Sequence, residues 1–323
     1  MPSTGSGERR RRRAARLTPT ALALIVTLSL AACSVAPHSA ESPQRPTEQT
    51  SVRPPIALPS GGTLFGSNVW QAPGETPREA MTRIDATYGP VDIARLFSKW
   101  MPPDWGVLDE EVGDRPVVVS FRLRPAKVLA GEFDDQLTAW FRGAPADRDV
   151  YWVYYHEPED ETERGEFSAQ AFQDAWTHIA RLAEAVDSPR LHATLILMCW
   201  TVTEHSGRLW RDYVPDNGLV DVLAWDCYAK GADAESYADI TALLEPARQA
   251  SASIGAAWGI GELGARIMDG DDGHDRAAWL QEVGRYAIEH DARFVTYFDA
   301  PIGGSFRLTD PPSIEVWARL VRS

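Results

Sequence analysis

The stretch Asp149-Val150-Tyr151-Trp152-Val153-Tyr154-Tyr155-His156-Glu157-Pro158-Glu159 decides how this chain is read. It is aromatic and β-branched on both alternating faces, then stops at a carboxylate. A run apolar on both faces suits a parallel strand covered on both sides. In a β/α barrel the C-terminal ends of such strands hold the chemistry. Downstream, Ser253-Ile254-Gly255-Ala256-Ala257-Trp258-Gly259-Ile260-Gly261-Glu262-Leu263-Gly264 carries a second apolar run to an acid. Two carboxylates on two strand ends are the minimum apparatus of a glycosidase.

Working outward, apolar runs alternate with segments of helical periodicity, the pattern of an α/β sheet with crossover helices. Strands are expected at Thr63–Trp70, Val91–Trp100, Arg115–Arg122, Val150–His156, Leu191–Trp200, Val220–Tyr228, Ser253–Glu262 and Arg293–Phe298. Between them, helices are expected at Thr76–Tyr88, Asp134–Phe141, Ala169–Val186, Ser236–Ala250 (interrupted near Pro246), Arg276–His290 and Ser313–Val321. Eight strands make a single (β/α)8 TIM barrel more economical than an open doubly wound sheet. No Gly-rich phosphate fingerprint follows the first strand, which weighs against a dinucleotide fold.

The 323 residues divide into three regions. Residues 1–32 pair a basic segment (Arg9–Arg13, Arg16) with the apolar Leu22–Leu30, and Leu30-Ala31-Ala32-Cys33 has the pattern of a bacterial lipobox. The apolar part is short for a membrane span and fits a lipoprotein signal peptide, with Cys33 the expected lipidation site. The expected product is an exported, membrane-anchored monomer. Residues 33–60 are rich in Pro, Ser, Thr, Glu and Gln and read as a disordered linker. Residues 61–323 are the expected catalytic domain, close to the roughly 250 residues of one barrel. The whole chain carries a formal charge of −14, and removal of the leader, with six Arg against Glu8, takes it to −19. Such an acidic protein is a poor partner for nucleic acid. Cys199 and Cys227 each fall inside an expected strand and are read as two free buried thiols.

On this count Glu157 ends the fourth strand and Glu262 the seventh, which face each other across the barrel mouth. In retaining glycosidases the acid/base and the nucleophile lie roughly 5 to 5.5 Å apart. The acid must stay protonated near neutral pH, so burial or an anionic neighbour has to raise its pKa. Glu159 lies past Pro158 and is expected to be solvated. The acidic stretch Asp160–Glu166 reads as a charged surface loop rather than a calcium site. Asp160 stands where a zincin would need its second histidine, no Cys/His spacing suits a metal, and no Gly-x-Ser-x-Gly elbow occurs. Neither metal nor cofactor is therefore expected.

The strand-four pair His156-Glu157, Gly261-Glu262-Leu263-Gly264, and Val220-Asp221-Val222-Leu223-Ala224-Trp225-Asp226-Cys227-Tyr228 together resemble glycoside hydrolase family 26. Tyr213-Val214-Pro215-Asp216 and Ala130–Trp140 are also similar to its pattern, and the matches run from about Gly66 to Trp317. The family comprises clan A retaining endo-hydrolases of β-linked polysaccharides, chiefly β-mannan. The resemblance implies Glu157 as acid/base, Glu262 as nucleophile, His156 beside the acid orienting the sugar, and Tyr228 hydrogen-bonded to the nucleophile. Trp200, Trp225 and Trp258, at or near strand ends, are candidate sugar platforms. Asp226 and Asp299 are candidate acceptors for sugar hydroxyls. The chain departs from the family at Pro158-Glu159-Asp160-Glu161, where mannanases usually carry Asn-Gly with a nearby Trp, and at Tyr155, where many carry a further His.

The expected function is thus retaining endo-hydrolysis of β-mannan or a related β-glycan. Two alternatives stay open: an inactive barrel that binds polysaccharide at the cell surface, and another clan A hydrolase or transglycosylase. A fold alone does not choose between them.

Overall fold

The computed structural model describes residues 62–215, 218–229, 236–302 and 305–323. The expected signal segment, the linker with Cys33, and Asp216 lie outside the described residues. Eight parallel strands close into a barrel in chain order: β1 (Leu64–Asn68), β2 (Ile93–Ser98), β3 (Val117–Phe121), β4 (Val150–Tyr154), β5 (Leu191–Met198), β6 (Val222–Tyr228), β7 (Ala257–Gly264) and β8 (Phe294–Tyr297). β1 pairs with β8 through Leu64↔Phe294 to Ser67↔Tyr297, which completes the ring. The expected (β/α)8 barrel is the observed fold.

Helices α1 (Pro77–Tyr88), α2 (Trp105–Val112), α3 (Pro125–Leu129), α4 (Asp134–Arg142), α5 (Glu159–Glu163), α6 (Ala169–Glu184), α7 (Ile240–Ser253), α8 (His274–Glu289) and α9 (Pro311–Leu320) cover the outside. Their starts are written in the sequence. Thr76 and Glu79 close a reciprocal capping box on α1, with Pro77 in the first turn. Ser168, Asp239 and Asp310 cap α6, α7 and α9 with side-chain oxygens. α7 runs unbroken through Pro246, contrary to the expected interruption. Pro246 removes one backbone donor, but Leu244, Ala247, Ala250 and Ser251 bury the face that holds the helix on the barrel. Between β5 and β6 the described residues form three 3-10 turns, Cys199–Val202, Glu204–Ser206 and Trp210–Tyr213, rather than an α-helix.

The core has two layers. Inside the barrel, Ile93, Val118, Tyr151, Val153, Ile196, Val222, Ala224 and Phe294 fill the lumen. Outside, the opposite faces of the strands pack on the helices; Trp152 of β4 stacks on Trp176 of α6 at 5.5 Å. Truncating a fully buried Trp such as Trp176 typically costs about 3–5 kcal/mol.

β7 breaks the strict alternation of strands. Trp225 pairs with Ile260 but the next residue, Asp226, pairs with Glu262; on the other side Ile260 pairs with Val295 and Leu263 with Tyr297. One extra residue is therefore accommodated around Gly261, a β-bulge. Ile260 and Leu263 both face the helices. A Cβ on Gly261 would point inward, 2.7 Å from Asp226 Oδ1 and from Ile196 Cδ1. The bulge turns Glu262 inward as well, where unbroken alternation after an inward Gly261 would have turned it out.

Candidate active site

Three strand ends meet at the C-terminal mouth. β4 ends in two residues with left-handed backbone, Tyr155 (φ 51°) and Glu157 (φ 49°). For non-glycine residues this conformation costs about 1 kcal/mol or more and persists only where its surroundings enforce it. Here the enforcing contacts are Tyr155 N–H donating to Phe121 O (2.9 Å) and Glu157 N–H to Ile196 O (3.0 Å). The Tyr155 ring swings outward against Phe167, centroids 5.0 Å apart, with Arg122 4.9 Å above it. Arg122 also donates to His156 O (3.1 Å) and lies 3.3 Å from His156 Nε2. An arginine donates only, so Nε2 accepts and the imidazole is neutral. Burial and the fields of Arg95 and Arg122 push the His156 pKa well below its ordinary value, in keeping with that.

Glu262 receives the Tyr228 hydroxyl proton at Oε2 in a short hydrogen bond. Its Oε1 lies 4.0 Å from Nη2 of Arg95, an arginine fully buried in the barrel. Arg95 is held by donation from Nη1 to Ser120 Oγ (2.6 Å) and by the Phe97 ring, 4.3 Å from its guanidinium carbon. Burial raises the pKa of Glu262, while Arg95 and the Tyr228 hydrogen bond oppose the rise. Glu157 goes well above the ordinary carboxylate range, because of burial first and the neighbouring charges of Glu262 and Glu159 next. Asp226, register partner of Glu262, is buried with neither oxygen hydrogen-bonded, and burial followed by Glu262 and Glu157 raises it likewise. Environments that favour ionisation of one carboxyl and protonation of its neighbour are how an acid and a nucleophile are differentiated. Glu262 has a hydroxyl donor and a guanidinium 4.0 Å away; among the described residues Glu157 has no ion pair, and Arg122 acts on it only through its field.

The other expected residues divide. Trp200 stands on the turn after β5, 54% exposed. Trp225 is fully buried on the outer face of β6, donating to Ser251 Oγ (2.9 Å), and Trp258 is buried against Tyr286 of α8, donating to His290 O. Neither is a sugar platform. Parity explains Trp225: with Asp226 and Tyr228 inward, their neighbour between Ala224 and Asp226 must face out. Asp299 is buried beyond β8, where it accepts from Leu308 N–H (3.2 Å) and lies 3.8 Å from Arg307, so it braces a loop instead of waiting for a hydroxyl. Asp226 sits level with Glu262 on the neighbouring strand and is buried, not on the open rim.

Two further expectations are corrected. Cys199 and Cys227 form a disulfide, Cα atoms 5.0 Å apart, because Met198 pairs with Asp226 in the parallel β5–β6 register and the next residue of each strand lies beside the other. Glu159 is not solvated: it is completely buried, its Oε1 accepts from Met198 N–H (2.9 Å), and burial lifts its pKa to about 7. It ties the β4 loop to the end of β5. Part of the acidic loop is likewise internal, since Glu161 is buried against Arg122 and Arg164.

Comparison with solved structures finds the same barrel among glycoside hydrolases. A glucosidase from Croceicoccus marinus superposes with a TM-score of 0.55 at 15% identity, over 81% of this chain and 66% of that one. A ruminal family 26 endo-β-1,4-mannanase gives 0.56 at 10% identity, over 81% of this chain and 63% of that one. A family 5 xyloglucan-specific endo-β-1,4-glucanase from a metagenomic library, solved with cellotriose, gives 0.55 at 12%, over 79% and 95%. This chain thus spans just under two thirds of the first two. No protein-family profile matches the sequence. No curated protein matches it either. The likeness establishes a shared (β/α)8 barrel fold.

Proposed function

We propose that this protein is a retaining, endo-acting glycoside hydrolase of β-linked polysaccharide, β-1,4-mannan or a related β-glycan. The observation that carries the proposal is the electrostatic coupling of Glu157, just past β4, to Glu262 of β7, where Glu262 has the Tyr228 hydroxyl bond and the Arg95 guanidinium 4.0 Å away, while Glu157 is pushed well up by burial and by Glu262 itself. In the first step a Glu262 oxygen attacks the anomeric carbon, the glycosidic C–O bond breaks, and Glu157 gives its proton to the departing oxygen. In the second, Glu157 takes a proton from water, the water oxygen attacks the anomeric carbon, and Glu262 leaves as a carboxylate. His156 lies beside the acid to orient the sugar, and Trp200 offers an exposed ring face on the rim. The named activities of the structural neighbours, on mannan and glucan backbones, support this substrate class.

We also assign the chain to the outer face of a membrane, tethered through Cys33. Support comes from the lipobox sequence and from the Cys199–Cys227 disulfide, a bond that persists in oxidising compartments. Mass spectrometry of the mature N-terminus, with Cys33→Ala as control, tests the anchor.

The test of activity is a screen against β-mannan, mixed-linkage β-glucan and β-xylan, with Glu157→Gln and Glu262→Gln beside the parent. Hydrolysis that both substitutions abolish supports the proposal. Hydrolysis that survives them refutes the two-carboxylate mechanism, and binding without cleavage by the parent identifies a polysaccharide-binding barrel instead.

A further inference from the structure

Beside the acid, on the β2–β3–β4 side of the mouth, lies a cavity of about 650 Å³ lined by Lys99, Trp100, Arg122, Arg124, Tyr155 and Phe167, among others. Its volume falls in the range of roughly 300–1,000 Å³ typical of small-ligand sites. It adjoins the Glu157 segment, since Arg122 in its wall donates to His156 O and Tyr155, also in the wall, follows β4 two residues before Glu157. Trp100 is 69% exposed, the most exposed of the large apolar side chains at this end. The charge of the wall is the reverse of the protein's. In a chain of formal charge −14, three cations line this cavity against a single carboxylate, Glu166, and Arg164 already neutralises that one. Arg122 is engaged by Glu161. Lys99 and Arg124 make no ion pair among the described residues, and both are exposed.

Two cations without ion-pair partners can donate to neutral hydroxyls, but a carboxylate gives them the stronger, charge-assisted partner. A flat exposed indole suits the C–H face of a pyranose, and guanidinium and ammonium groups beside it match a carboxylate through charge-assisted hydrogen bonds. We infer that this cavity is a subsite for a carboxylate-bearing sugar, so that the polysaccharide cleaved carries uronic acid units near the scissile bond. The inference rests on the hydrolase reading for the word "cleaved", while the binding chemistry stands apart from it.

The experiment titrates the Glu262→Gln protein, which cannot turn over, with cellobiouronic acid and with cellobiose, followed by NMR or calorimetry. The acid binds about tenfold more tightly at low ionic strength, the increment of one charge-assisted contact. Raising salt shrinks the preference, because exposed charges are screened. Adding Lys99→Gln and Arg124→Gln to the same protein brings the ratio of the two affinities close to one, and melting curves check that both proteins are equally folded. Equal affinity for the two disaccharides, binding of neither, or a preference that survives the double substitution overturns the inference. The two readings fail separately. Cleavage of neutral glycan with no acid preference removes the subsite alone, whereas acid preference in a parent that hydrolyses nothing removes the hydrolase alone.

Discussion

Replacing Gly261 with alanine adds one methyl group where the structure has no room for it. The new carbon would lie 2.7 Å from both Asp226 Oδ1 and Ile196 Cδ1. Ordinary contact begins near about 3.5 Å, so one side must move by roughly 0.8 Å. Both atoms are side-chain ends, but Ile196 is packed in the lumen and Asp226 is buried, so the shift is shared between these side chains and the Gly261–Glu262 backbone. Glu262 would then be displaced by a fraction of an ångström from its Tyr228 and Arg95 partners. A misplacement near 1 Å costs about 10²-fold in rate, and overpacking costs about 1–3 kcal/mol in stability. The control is Gly259→Ala one turn of the pleat below, where the nearest atoms are Phe294 O at 3.2 Å and its ring at 3.4 Å. Rates are measured by reducing-sugar release on the polysaccharide found by screening, and stability by thermal melts. The expected result is a kcat lower by about 10²-fold for Gly261→Ala and close to the parent for Gly259→Ala. Unchanged kcat in Gly261→Ala, or equal losses in both, refutes the claim that the bulge aims Glu262 for the proposed reaction.

Three other outcomes are expected. Tyr228→Phe removes a hydrogen bond that favours the Glu262 carboxylate, so the acidic limb of the kcat/KM profile moves to higher pH, and a limb that stays in place contradicts the role given to Tyr228. Glu159 has its pKa raised from 4.5 to about 7 in the fold, so its contribution to stability is complete below about 4.5 and lost as pH rises through about 7. The loss is on the order of 3 kcal/mol; urea denaturation at pH 4.5 and pH 8 should show a smaller drop for Glu159→Gln than for the parent, and equal drops would count against it. Reducing the Cys199–Cys227 bond, which spans 28 residues, removes about 3–4 kcal/mol on a chain-entropy argument. A fall in Tm on the order of 10 °C with reductant follows, and Cys199→Ser should reproduce it; no shift would mean the bond adds nothing.

All eight strands were legible as β-branched and aromatic runs, and six helices from their apolar periodicity, whereas the short α2, α3 and α5 were not foreseen and α7 and α9 start at caps, Asp239 and Asp310, that the periodicity did not locate. What escaped depended on non-local geometry. Glu157 and Glu262 could be placed at strand ends because each terminates an apolar run, but the outward direction of Trp258 could not be had from parity. Trp258, Ile260 and Glu262 share a parity in sequence, and only the bulge at Gly261, visible in the pairing with β6 and β8, separates their faces. Arg95 was missed although a signal existed: an arginine centred in Ile93-Ala94-Arg95-Leu96-Phe97 is an unpaired charge in a strand otherwise destined for the core. Glu159 looked solvated because it follows a proline in an acidic run, and its burial comes from the end of β5, forty residues further along. The disulfide depends on register instead: two cysteines in neighbouring parallel strands meet only when Met198 pairs with Asp226, and the strand boundaries alone do not fix that alignment.

The crowd of ionisable groups under the mouth has an implication for how such a barrel could change over generations. Arg95, Asp226, Glu157, Glu159 and Glu262 share one poorly solvated end of the lumen, several with polar atoms left unpaired. Replacing buried ionic groups by well-packed apolar residues of similar size is often neutral or stabilising by about 1–4 kcal/mol. A barrel that only needed to hold its shape would therefore drift toward an oily lumen, gaining robustness with each charge it shed. This one holds the full set, a costly arrangement for which the two-carboxylate reaction proposed above supplies a reason.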